Sequence, residues 1–179
     1  MKNKSVLLFK CAVFAVLLIG SSSFNAVFAA PFDVFSENPF SINPNLNLEN
    51  QETEIFSLVN SERARKNLPP VEWDGELAKL ARNYSKQMAR ERFFDHFDRS
   101  GTSVVERAEN ARIGKWSKIG ENLFLCEGID RFSFTAVKGW MKSPTHRKNI
   151  LDRSWTDSGI GIARSRSGQI YVTQVFIKR

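Results

Sequence analysis

Cysteine and histidine are nearly missing from this chain, whose 179 residues hold two of each. Cys11 lies in the N-terminal apolar stretch, so Cys126 is the only thiol in the rest of the chain. With no second cysteine there, an internal disulfide is excluded and the core must hold by packing; a lone thiol of this kind reads as buried and inert. The two histidines, His96 and His146, are far apart in sequence, and no helix carries a pair four residues apart as zinc proteases do. Gly-x-Ser-x-Gly is missing too, which leaves a serine nucleophile unsupported. No glycine-rich phosphate cradle and no basic strip interleaved with aromatics occur, so neither nucleotides nor nucleic acids are predicted as partners. Internal repeats are also absent.

What is present begins with an export signal. Lys2 and Lys4 precede an apolar stretch from Val6 to Ile19, interrupted by Lys10; Ser21-Ser22-Ser23 and Val27-Phe28-Ala29 follow. A positive start, a short apolar core and small residues at the cleavage positions predict a signal peptide over 1–29, cut after Ala29. The stretch is short of apolar residues for a lasting membrane span. Its removal takes three lysines and no acids, lowering the formal charge from +7 to +4 (23 basic against 19 acidic residues). That balance is mild and does not require a polyanionic partner. Residues 30–51 hold Pro31, Pro39 and Pro44, many asparagines and no basic residue, the composition of a linker. Its Phe32, Phe35 and Phe40 either pack back on the domain or dock a partner. The expected product is secreted or extracytoplasmic, with one domain over 52–179.

Within that domain the periodicity alternates between 3.6 and 2. Ile55, Phe56 and Val59 predict a helix that ends by Asn67 and is stopped by Leu68-Pro69-Pro70. Asp74 caps a second helix, whose Leu77, Leu80, Ala81, Tyr84, Ser85 and Met88 recur at i, i+3, i+4 and i+7. A third helix is expected over Ser103–Ala111 with Val104 and Val105 inward, and a fourth over Phe132–Lys142 with Ala136, Val137, Trp140 and Met141 as its stripe. Ile119–Cys126 reads as a strand, and Ser158–Ala163 with Gln169–Ile177 as a hairpin turning at Gly168. Helices first and paired strands last predict an α/β class, a layered domain around a small, mostly antiparallel sheet.

Three polar motifs interrupt these patterns. His96 sits in Phe94-Asp95-His96-Phe97, Glu121 in Gly120-Glu121-Asn122-Leu123, and His146 in Ser143-Pro144-Thr145-His146. Ser143 is a suitable N-cap with Pro144 at the first helical position, which puts His146 in a first turn, where the helix dipole keeps imidazole neutral. Neutral imidazole is the form that binds a metal or accepts a proton. Glu121 needs solvent or a polar pocket, and strand alternation turns Cys126 to the other face. Two histidines and a glutamate with an open position are the ligand set of a catalytic zinc site. A satisfied structural histidine is the plainer reading of either ring.

Taken in order, these motifs resemble the CAP superfamily of cysteine-rich secretory, antigen 5 and pathogenesis-related proteins, in its bacterial SCP-like branch. The resemblance runs through Leu58-Val59-Asn60-Ser61-Glu62-Arg63, Leu68-Pro69-Pro70-Val71-Glu72-Trp73-Asp74, the His96 and Glu121 motifs, Trp140-Met141-Lys142-Ser143-Pro144-Thr145-His146-Arg147-Lys148-Asn149-Ile150-Leu151, Gly159-Ile160-Gly161 and Tyr171-Val172-Thr173-Gln174-Val175-Phe176, covering about 52–177. It implies a three-layer α-β-α sandwich with a cleft lined by His96, Glu121 and His146. It implies a divalent metal such as zinc held by His96 and His146 with Glu121 nearby, weakly, because Ser143 stands where fuller members carry a second acid. A non-catalytic cleft taking an ion, a small molecule or a lipid is the leading expectation. A zinc-dependent hydrolase and a cell-envelope interaction module are the alternatives. No common reaction defines the family, so the fold supplies none.

Overall fold

Asn47 opens the first helix. Its side chain accepts hydrogen bonds from the backbone N–H groups of Glu49 and Asn50 in the computed structural model, which describes residues 47–129 and 131–179. The signal peptide and most of the linker, including its three phenylalanines, lie outside the described residues. With Asn47 as cap, α1 spans Leu48–Ala64, so 48–51 are helix and not linker. Its inward face runs Glu52, Ile55, Val59, Arg63, the helical spacing with a charge at each end. Glu52 is fully paired, whereas Arg63 keeps one buried nitrogen, Nη2, without a hydrogen-bond partner among the described residues. Glu52 takes Arg82 and the Ile162 N–H, while Arg63 donates to the carbonyls of Pro69, Ile150 and Asp152. Phe56 lies off this face and meets Trp73 edge-on at 5.2 Å. Asn67, at φ 53, takes the left-handed conformation that ends the turn.

The remaining elements follow the sequence pattern with few exceptions. They are β1 (Glu72–Trp73), α2 (Gly75–Glu91), α3 (Val104–Asn110), β2 (Lys118–Cys126), α4 (Phe132–Lys142), α5 (Pro144–Ile150), β3 (Asp157–Arg164) and β4 (Ile170–Lys178). Asp74 caps α2 through the N–H groups of Glu76 and Leu77. Strand β1 was not expected, since two residues carry no period. In α3 the inward residue is Ala108, while Val105 faces out, 38% exposed, and Val104 packs only partly. A seven-residue helix meets the core on one narrow strip, and consecutive positions cannot share it.

The sheet order is β1-β3-β4-β2, with β1 parallel to β3 and the other pairs antiparallel. Strand alternation splits the core in two. Ile160, Ile162, Val172, Phe176 and Cys126 face α1, α4 and α5, where Ile55, Phe132, Trp140 and Ile150 meet them. Val175, Ile177, Tyr171 and Leu123 face α2 and α3. The chain is therefore the three-layer α-β-α sandwich expected, and Cys126 is buried on the side away from Glu121. The α2 layer lies so close to β3 that a Cβ on Gly161 would stand 1.9 Å from the Arg82 backbone nitrogen, and one on Gly159 2.2 Å from that of Ala78. Only glycine leaves room for that approach. Among the described residues no helix is long and apolar enough to cross a membrane.

Candidate functional site

Strand β2 is the last strand of the sheet order, and its outer carbonyls are capped by side chains of α4 and α5. Trp140 Nε1 donates to the Leu123 carbonyl at 2.9 Å, and Asn149 Nδ2 to the Glu121 carbonyl at 3.0 Å. Asn149 also donates to Asn122 Oδ1, and Trp155 Nε1 donates to the Asn149 carbonyl. Side chains thus replace the missing neighbouring strand, which protects an edge that would otherwise offer itself to another chain. Gly120 belongs to the same fit, since a Cβ there would come within 2.9 Å of the Trp155 ring. These contacts explain why the Glu121 motif and the segment around His146 and Asn149 sit side by side.

On the other face of β2, Glu121 points under the loop that follows α2. That loop is fixed at both ends. Tyr84 Oη donates to the Asp95 carbonyl at 2.7 Å, and the Asp98 carboxylate accepts from the Ser100 hydroxyl and from the N–H groups of Ser100 and Thr102. These bonds, the Ser100 hydroxyl first, pull the Asp98 carboxyl down to about 2. His96, at the crest of the loop, donates from Nδ1 to Glu121 Oε1 at 2.8 Å. The Glu121 side chain is 3% exposed and that of His96 49%, so a buried carboxylate orients a half-exposed ring.

His146 comes from the opposite layer. It lies in the first turn of α5, with Pro144 at the first position. The Ser143 hydroxyl forms no capping bond; it meets His146 Nδ1 at 2.8 Å instead. Burial first, and then the neighbouring His96, lower the His146 pKa, which favours the neutral ring. The two imidazole centres are 6.5 Å apart and tilted by 32°. Neither Nε2 is hydrogen-bonded among the described residues, and one ligand could touch both. The structure thus brings His96, Glu121 and His146 together across two layers.

Sequence reasoning missed one member of this group. Arg107, on α3, donates from Nη2 to Glu121 Oε2 at 2.6 Å and from Nη1 to the carbonyls of Thr102 and His96. Its guanidinium lies 3.3 Å from the centre of the Tyr84 ring, and its side chain is 9% exposed. A signal existed. Arg107 sits on the strip of α3 that also carries Val104 and Ala108, where a charge must find a partner, and Glu121 in its apolar strand needed one too.

This donor set does not fit a tightly held ion. Two imidazole nitrogens are presented, but both Glu121 oxygens are engaged and Ser143 supplies no carboxylate. Among the described residues no three His, Cys, Asp or Glu groups converge as an ion would need.

The sequence pattern of the cysteine-rich secretory protein family, CAP, matches residues 56–176. A Bacillus subtilis protein described as the uncharacterised membrane protein YlbC is 33% identical over 128 residues, 72% of this chain and 34% of its own length. The chain thus spans about a third of that curated relative. Among solved structures, an extracellular protein containing an SCP domain from Bacillus anthracis aligns with TM-score 0.64 and 30% identity over 73% of this chain and 41% of that one. An outer surface protein of Borrelia burgdorferi aligns with TM-score 0.65 over 75% of this chain and 96% of that one; at 21% identity it speaks for the fold alone.

Proposed function

The chain belongs to the cysteine-rich secretory protein family, and on that premise we propose that it is an extracytoplasmic, non-catalytic recognition domain with a two-histidine cleft. The cleft takes a small polar ligand through the Nε2 atoms of His96 and His146 and holds a divalent ion such as zinc only weakly. The observation that carries this reading is the mutual arrangement of the two rings, 6.5 Å apart with each Nδ1 already anchored. Anchored rings lose little freedom when a ligand arrives, which is how a small site gains affinity. A hydrolase would need a general base beside its activated water. Glu121, the carboxylate hydrogen-bonded to His96, is already paired on both oxygens. The polar lining favours a polar ligand over a lipid. A groove with an apolar floor of Leu58, Phe134, Val137 and Met141 does lie between α1 and α4, but polar and charged side chains, Arg65 and Lys138 among them, also line it and neither histidine borders it.

Export is supported by the N-terminal pattern and by the similar Bacillus anthracis structure, which is described as that of an extracellular protein. Zinc titration by calorimetry, on the protein and on His96→Ala and His146→Ala, tests the cleft. Weak binding, above about 10 μM in Kd, that either substitution abolishes is expected. Heat that survives both substitutions would put the ion elsewhere, and peptide or ester hydrolysis lost with His96→Ala would overturn the non-catalytic reading.

A further inference from the structure

Glu121 is the most deeply buried acid of the cleft, and a carboxylate with 3% of its surface exposed is not stable without a compensating positive charge. That charge is close by. Arg107 Nη2 contacts one carboxylate oxygen at 2.6 Å while His96 Nδ1 contacts the other at 2.8 Å. The Arg107 side chain is 9% exposed, and its guanidinium is stacked on Tyr84 and tied to the Thr102 carbonyl at 2.9 Å. It is a resident part of the layer that α2 and α3 form on this face of the sheet.

We propose that Arg107 is a built-in cation that occupies the electrostatic role of a divalent ion in this cleft, and so sets its specificity away from metals. A metal bound directly by Glu121 as well as by the imidazoles would have to take Oε1 from His96 Nδ1 or Oε2 from Arg107 Nη2, and taking Oε2 would leave a buried guanidinium unpaired. That is the costly way to break such a pair. Arg cannot lose its proton to relieve the cost. The imidazoles remain presented to a ligand while the carboxylate is withheld from an ion. This inference shares the two-histidine cleft with the proposed function but rests on a different residue.

The test is zinc calorimetry with thermal melts in zinc and in chelator, on the protein, Arg107→Met, Arg107→Lys and Arg107→Met/Glu121→Gln. Arg107→Met frees Oε2 of the carboxylate. It should bind zinc at least about 100-fold more tightly than the unsubstituted protein, the upper end of what one outer partner is worth to a metal site, and should melt higher in zinc than in chelator. Arg107→Lys keeps the charge and should bind as weakly as the unsubstituted protein, and the double variant should show no gain. Equal affinity in Arg107→Met and the double variant would overturn the proposal, as would tight binding by Arg107→Lys or failure of Arg107→Met to fold even in zinc. Loss of the weak binding in His96→Ala alone bears on the cleft and not on Arg107, so the two readings fail separately.

Discussion

Glu121 illustrates how much a single residue can disclose and how much it withholds. An acid inside an apolar strand announces a polar pocket, and alternation along β2 separates it from Cys126, which does face the other layer. The identity of its partners was only half legible. His96 was singled out because histidine is rare here, whereas Arg107 was one of many basic residues and its short helix gave little period to place it. The pairing has a consequence for stability. Glu121→Gln keeps the shape but leaves the Arg107 charge buried opposite a neutral group, which should cost about 3 kcal/mol. Adding Arg107→Met removes the stranded charge, so the double variant should recover part of that loss. Urea denaturation of the three proteins measures both steps. Equal stability of Glu121→Gln and the parent would mean that the ion pair contributes nothing.

At the scale of elements, the long periodic helices and the hairpin were readable because their apolar faces repeat. The two-residue β1 was not, and α1 started earlier than its apolar residues suggested because Asn47, a polar residue, sets the start. Layer spacing was also invisible in the pattern. Gly159 and Gly161 marked a strand, but only the packing reveals that α2 presses on their backbones. Three glycine-to-alanine changes should therefore rank by what the new methyl meets. Gly161→Ala drives it into helix backbone and should cost more than the ~1–3 kcal/mol of ordinary overpacking. Gly120→Ala meets the Trp155 ring at 2.9 Å and should fall within that range. Gly75→Ala meets nothing within 4 Å and should be neutral or mildly stabilising. Urea midpoints give the ranking, and a tolerated Gly161→Ala would contradict the close packing of α2 on β3.

For the molecule as a whole, the sandwich turns three scattered motifs into one place. His96 hangs from the end of α2 in one layer, Glu121 rises from the edge strand, and His146 leads α5 in the other layer. Helices first and paired strands last made an α/β layering legible, while the three-layer sandwich was implied by the resemblance of the ordered motifs to a known family. The charge pairing inside the cleft was not legible, since it depends on side chains that meet only after the layers close. The central claim is that the rings are presented while Glu121 stays with Arg107. Imidazole nitrogen NMR during a zinc titration tests it most directly, with only two histidines to assign. The Nε2 signals of His96 and His146 should shift together at zinc concentrations above about 10 μM, while the Arg107 guanidinium protons paired with Glu121 stay unchanged. Saturation at one equivalent of sub-micromolar zinc, with those guanidinium signals lost, would contradict it.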